Sequence, residues 1–551
     1  MKKNLVSSQK SLEGENPAKP PFLDDLVASR KSTMNLIPQL VPVSPHYWCT
    51  WGAQCSHFVR PGEIGGAHRL DEHLLFDTDG WLARFYPTIR KDLLVLIDAG
   101  WDIPRALDAD AIQPFYGSFI PDPERFPSLT GSETEKLSEL RSRIEALGWR
   151  GVGLWLIAQG HGEAFGKPRL PDEVVEADWR KKARWSRDAG IAYWKVDFGM
   201  RGEDLIFRRN LTRLLREEAP GTLIEHVRNM GPINGMIADP DANPIKGIGR
   251  FEKASFQEYR GGALFESCVM LMHLCDVMRT YDVAWTLSIP ITLDRVSSIL
   301  KAAAGDPVCT AILNCEDEMY MGAALGCALG ILRYPEAKPE QPTALDPHGV
   351  NQRTDEAVRA VRWSRIAPPV PAGVGLVERD SRILVDRWLY RPGDVYQAEW
   401  DNQIVNQGAP ARVSRDMPLP VVEGVDDPPF VVCSRHPNGA TSVATLPRTS
   451  LEHRNRSTPL ADVSIEAGDG KIGIFGRYRS LRVRHKNASA RSTVWMQDLA
   501  GESAVDVTQA ISMEGSDVVL SGELLERIGL QARSPGDVSD PACVVEILND
   551  R

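Results

Sequence analysis

From Leu93 onward the chain alternates short apolar runs with helix-patterned segments, and run after run ends in a polar side chain. LLVLID (Leu93–Asp98) comes first. Ser132 and Glu135 then make a capping box, followed by Leu137, Leu140, Ile144 and Leu147 at helical spacing, with Gly148 as the stop. GVGLWLIAQ (Gly151–Gln159) is the second apolar run. Pro171 opens a helix that reaches Ala189, with Gly190 as its cap. GIAYWKVDFGM (Gly190–Met200) supplies a strand ending at Asp197. A helix over Leu205–Glu218 and the strand TLIEHV (Thr222–Val227) continue the series. Such alternation predicts a parallel sheet joined by right-handed crossovers.

An open doubly wound sheet and a closed barrel both satisfy this pattern. No GxGxxG or GxxxxGK[ST] follows any strand, so an open nucleotide-binding sheet lacks its phosphate loop. In a barrel, functional groups gather at the C-terminal ends of the strands. Here those ends carry Asp98, Gln159, Asp197, Glu225 and, after a longer excursion, Asp282. The expectation is an α/β chain: a (β/α)8 TIM barrel with a C-terminal all-β, sandwich-like domain. Residues 1–40 read as an irregular arm and 41–368 as the barrel, closed by a helix over Thr354–Arg365. APPVPAG (Ala367–Gly373) reads as a linker, and 369–551, with its short turn-punctuated strands, as the β-domain.

A length of 551 residues suits two or three domains. With 64 basic and 74 acidic side chains, the net charge of −10 disfavours nucleic acid or an anionic membrane as partner. The N-terminus lacks the apolar core of a secretory signal, and no run approaches the ~18 apolar residues of a membrane span. Nine cysteines, scattered without CxxC, argue for reduced thiols rather than disulfides or zinc. A cytoplasmic enzyme without metal or cofactor is the expectation, and a homo-oligomer is compatible with it.

The chemistry starts from Asp197. In a strand, residues i and i+2 share a face, so Tyr193, Lys195 and Asp197 line one side and Ala192, Trp194 and Val196 the other. An adjacent ammonium keeps a carboxylate ionised, as a nucleophile must be. A purely structural Lys–Asp pair is the alternative. Glycosyl transfer needs a second carboxyl as acid and base. Asp282, in CDVMRTYDVAW (Cys275–Trp285), is the candidate, with Tyr281 and Trp285 to desolvate it; a helix N-cap is the competing role, and Asp276 ranks lower. His46, His57, His161 and His226 lie near predicted loop ends without metal-site spacing. Glu316, Asp317 and Glu318, after the apolar run Val308–Asn314, read as a solvated acidic turn.

These pieces fall in a familiar order: YWCTWGAQ (Tyr47–Gln54), LIDAGW (Leu96–Trp101), GVGLWLIAQ, YWKVDFG (Tyr193–Gly199), IEHVRN (Ile224–Asn229) and MRTYD (Met278–Asp282). Over about Tyr47 to Pro335 the chain resembles glycoside hydrolase clan D, the α-galactosidases, α-N-acetylgalactosaminidases and raffinose-synthase-like proteins. The resemblance implies a small glycoside or oligosaccharide substrate. It makes Asp197 the nucleophile, Asp282 the general acid/base and Lys195 a hydroxyl contact. Arg279 then lies next to the sugar, Asp98 grips hydroxyls across the ring, and Glu225 faces the 2-position with Arg228 nearby. Trp48, Trp51, Trp101 and Trp155 shape the pocket. Where many relatives carry two consecutive aspartates before Gly-Trp, the second is Ala99 here, which removes one grip on sugar hydroxyls.

Three activities share this expectation. The first is a retaining α-glycosidase, α-galactosidase-like, working by double displacement. The second is a transglycosylase of the raffinose-synthase type, which uses the same carboxylates. The third belongs to another class: a Schiff-base aldolase or lyase with Lys195 as its amine.

Overall fold

The computed structural model describes residues 33–58, 69–104, 115–227, 236–238, 263–280, 288–336, 349–389, 404–449 and 456–549. Asp282 and Arg228 lie outside these residues, as do Tyr281 and Trp285. Eight parallel strands close a barrel: β1 (Tyr47–Cys49), β2 (Leu94–Ile97), β3 (Gly151–Leu156), β4 (Tyr193–Val196), β5 (Leu223–Val227), β6 (Val277–Arg279), β7 (Ile312–Glu316) and β8 (Ala328–Ile331). The ring shuts where Tyr47 and Trp48 pair with Gly330 and Ile331. Around it run α1 (Thr50–Phe58), α2 (Glu133–Ala146), α3 (Asp172–Ala189), α4 (Leu205–Glu218), α5 (Ala263–Met272), α6 (Ser288–Ala303), α7 (Met319–Leu325) and α8 (Thr354–Trp363).

Local signals set several of these ends. Ser132 and Glu135 make both bonds of the capping box that starts α2. Gly190, left-handed at φ 72°, ends α3, a conformation glycine adopts without steric cost. The carboxylate of Asp204 accepts the first free amides of α4. Strand parity then sorts the side chains. Tyr47, Cys49, Leu94, Leu96, Tyr193 and Val277 fill the lumen. Trp48, Val95, Ile97, Trp194 and Val196 join the layer between strands and helices.

Beyond Val377 the chain is almost all strand. An eight-stranded and a five-stranded sheet enclose one apolar core, to which Val431, Val443 and Ile474 contribute from the first and Val463, Leu481 and Leu520 from the second. This sandwich is fastened to the barrel. Arg359 of α8 pairs with Asp498 at 2.9 Å, both fully buried, and the Trp363 ring packs beside Phe475 at 6.1 Å. The stretch expected as a linker is pinned down: the amides of Val370, Ala372 and Gly373 donate to the carbonyls of Gly326, Ala311 and Cys309. Part of the excursion between β5 and β6, Met236–Ala238, forms a small sheet with the hairpin Ile383–Leu389/Ile404–Pro410. Within the expected N-terminal arm, the Leu36 amide donates to Gln497 and the Met34 carbonyl accepts from Ala504, so this segment lies on the sandwich. No helix among the described residues is long and apolar enough to cross a membrane.

Candidate active site

The lumen turns polar at the C-terminal ends of the strands. Lys195 sits on β4 opposite Trp155 and Glu225. Its ammonium lies 3.1 Å from Oδ2 of Asp98, just past β2, and 3.0 Å from Oε1 of Glu316 at the end of β7. Burial disfavours this charge, but the carboxylates of Asp98 and Glu316 outweigh it and hold the amine protonated well above its ordinary range. Arg279, at the end of β6, contacts Oε2 of Glu316 at 3.1 Å and Oδ2 of Asp197 at 3.5 Å. The Cys49 thiol donates to Asp98 at 3.0 Å. Asp98, Lys195, Glu316, Arg279 and Asp197 thus form a row of alternating charge across the barrel mouth.

Asp197 ends the row. The Trp155 indole donates to its Oδ2 at 3.0 Å and the Phe198 amide to its Oδ1 at 2.9 Å. Burial opposes ionisation, but Arg279, Lys195 and these two donors prevail and keep the carboxyl below its ordinary range. Its side chain is 14% exposed, against 4% for Asp98 and 3% for Glu316. Asp197 is therefore the carboxylate of the row that reaches the opening.

Glu225 lies deeper, one pleat below the level of Asp197, and is fully buried. Its Oε2 accepts from Tyr193 at 2.8 Å and from Asn314 at 2.7 Å. Burial, assisted by the charge of Glu316 and opposed by Lys195 and Arg279, pushes its carboxyl up to about 7. The folded chain keeps this proton between the unfolded value of about 4.3 and about 7, so stability falls as pH rises through that window. The loss is worth about 4 kcal/mol by pH 8. Glu225→Gln, whose amide imitates the neutral acid, is expected to be near wild type at pH 4 and more stable by about that amount at pH 8. Urea melts at the two pH values read this directly, and a constant difference would refute it.

The tryptophans divide. Trp155 points inward and grips Asp197. Trp51, in the first turn of α1, packs on the apolar mouth cluster of Ala99, Ile103, Tyr116, Trp155 and Ile157. Trp48 and Trp101 are corrections to the pocket expectation. Trp48 faces outward because its neighbours Tyr47 and Cys49 take the lumen; it packs on Trp81, Phe85 and Trp149 and donates to the Arg333 carbonyl. Trp101 is fully buried against Phe119 and donates to the Trp155 carbonyl.

The acidic turn is a second correction. Glu316, Asp317 and Glu318 are all buried, because cations from distant parts of the chain meet them. Arg333 faces Asp317 at 3.5 Å, and Arg456, 138 residues onward, pairs with Glu318 at 3.3 Å. The one available sequence signal was parity: Asn314 and Glu316 repeat the i, i+2 spacing of Lys195 and Asp197. Two of the histidines are structural. His46 is tied to Ser364 and the Leu329 amide, and His226 to Arg208 and Thr212. Among the described residues, no group of three His, Cys, Asp or Glu is placed to hold a metal ion.

No family model matches the sequence, and no curated protein does. Solved structures similar to the chain include a GH27 β-L-arabinopyranosidase from Geobacillus stearothermophilus, at TM-score 0.41 and 9% identity over 92% of this chain and 96% of that one. A putative α-N-acetylgalactosaminidase from Bacillus halodurans gives TM-score 0.39 and 11% identity, covering 94% of this chain and all of that one. A putative α-galactosidase from Bacteroides fragilis gives 0.38 and 11%, covering 92% and 79%.

Proposed function

We propose that the chain is a retaining glycoside hydrolase acting on α-glycosides. The supporting observation is an ionised, partly exposed carboxylate, Asp197, held at the C-terminal mouth of a closed parallel barrel by Arg279, Lys195 and Trp155. In this reading Asp197 attacks the anomeric carbon from the face opposite the leaving oxygen. Asp282, three residues past Arg279 in sequence, protonates that oxygen and later takes a proton from the attacking water. Lys195 and Asp98 hold hydroxyls of the ring, and Arg279 stands beside the reacting centre. Glu225 and Arg228 belong to the same sugar site, Glu225 as the deep proton-bearing acid beneath it. Trp51 and Trp155 give the sugar an apolar wall. At Ala99 that wall continues, so the sugar meets methyl and aromatic groups where a second aspartate would offer hydrogen bonds.

The aldolase reading requires Lys195 as a free amine. Two carboxylates within about 3 Å keep that nitrogen charged, which favours glycosyl transfer. The test is covalent trapping: activated fluorosugars of the galactosyl, glucosyl and arabinosyl series, followed by peptide mass mapping. A single adduct on Asp197 supports the mechanism, and no adduct with any of the three argues against it. Adding acceptor sugars then separates hydrolysis from transfer, because water and acceptor compete for one intermediate.

A further inference from the structure

Glu316 has no role in the sugar site as described so far, yet it occupies the middle of the charge row. Its carboxylate meets Lys195 at 3.0 Å, Arg279 at 3.1 Å and the Tyr47 hydroxyl at 2.7 Å. Gly330, on the neighbouring strand, makes room for this approach: a Cβ there would lie 2.7 Å from both the Glu316 side chain and the Tyr47 ring. Without Glu316 the row would split into two independent pairs, Lys195 with Asp98 and Arg279 with Asp197.

We infer that Glu316 is a positioning residue for the reaction, a single carboxylate that locks the Lys195 and Arg279 head groups together and so fixes the distance between Asp98 and Asp197. The inference rests on Asp197 being the reacting carboxylate. Burial works against a charge at Glu316, but Arg279, Lys195 and the bonds from Tyr47 and Lys195 overcome it and hold its carboxyl low. It therefore acts as an anion. Lys195 and Arg279 each contact it as well as a second carboxylate, and this competition keeps Arg279 from closing fully on Asp197 and blunting the nucleophile.

Glu316→Gln removes that anion while keeping the side chain's size. With the charge of Glu316 gone, Arg279 turns further toward Asp197, and the carboxyl of Asp197 falls further. The acidic limb of the kcat/KM profile should then move to lower pH by about one unit. Turnover should fall about 100-fold with KM changed far less, since misplaced groups near the reacting atoms cost that much. Glu316→Asp, which keeps the charge but shortens the reach, should restore the pH limb without restoring the rate. Loss of the anion alone would shift the limb without the fall in turnover, so an unshifted limb or an unchanged turnover overturns the inference.

A crystal structure of Glu316→Gln gives a readout independent of turnover. Arg279 is expected to close on Asp197, and head groups that stay within about 0.5 Å of their wild-type places would overturn the inference. Should the wild-type protein cleave no glycoside at all, the glycosidase reading fails by itself, and this structural comparison alone decides the role of Glu316.

Discussion

Asp197→Ala is expected to lower turnover of the best α-glycoside by a factor on the order of 10⁴ or more, because in the proposed mechanism its carboxylate forms the covalent intermediate. The fold should survive. Arg279 keeps Glu316 at 3.1 Å as its partner, and only the Trp155 and Phe198 donors, near the opening, are left to water. The loss is thus separable from unfolding by comparing melting midpoints. Azide offers the decisive measurement. Alanine leaves a space on the face that Asp197 attacks, and a small anion there needs no general base. In the proposed mechanism azide takes the anomeric carbon, the aglycone leaves with the proton of Asp282, and the product is a β-glycosyl azide. Rescue with that configuration identifies Asp197 as the nucleophile of an α-retaining enzyme. A variant retaining more than about a tenth of wild-type activity without azide would exclude the role.

What the sequence made legible was local, and what it hid was assembled across the barrel. The α2 capping box and the Gly190 cap are decided within a few residues, so helix ends and the strand–helix rhythm could be read directly. The Lys195–Asp197 pair was visible for the same reason, since one pleat fixes it. In sequence Glu316 reads as solvated because the residues beside it are acidic. Its cations come from β4 and β6, and parity alone, without closure of the ring, cannot bring them together. The tryptophans failed differently. Whether Trp48 faces sugar or core depends on a one-residue choice of register at the start of β1, and a shift of one residue exchanges the faces. The expected linker shows the same limit: proline-rich and apolar, APPVPAG looks like a spacer, yet three of its amides are spent on the barrel.

Lys195→Met is the substitution expected to cost most stability. Methionine matches lysine in length and fills the lumen without a cavity, so the effect isolates charge. It leaves Asp98, Glu316 and Asp197 facing one guanidinium in a region where Lys195 itself is only 1% exposed. Removing one partner of a buried ion pair costs about 3–5 kcal/mol, because the surviving charge can neither reach water nor find a substitute. The pH dependence carries a definite sign. In the wild type, Glu316 and Asp197 are held below their ordinary values, so their contribution is present above the unfolded carboxyl range and is lost as pH falls through the folded values. In the variant the ammonium no longer offsets burial, and Glu316 moves upward and binds a proton on folding. The stability gap between the two proteins should be widest near pH 7.5 and narrow toward pH 5, as protonation of Glu316 relieves the variant alone, whereas Glu225 takes up its proton in both proteins. Urea unfolding at both pH values measures it. A gap under about 1 kcal/mol at pH 7.5, or one that is the same at pH 5, would mean that the Lys195 ammonium does not hold this row of charges together.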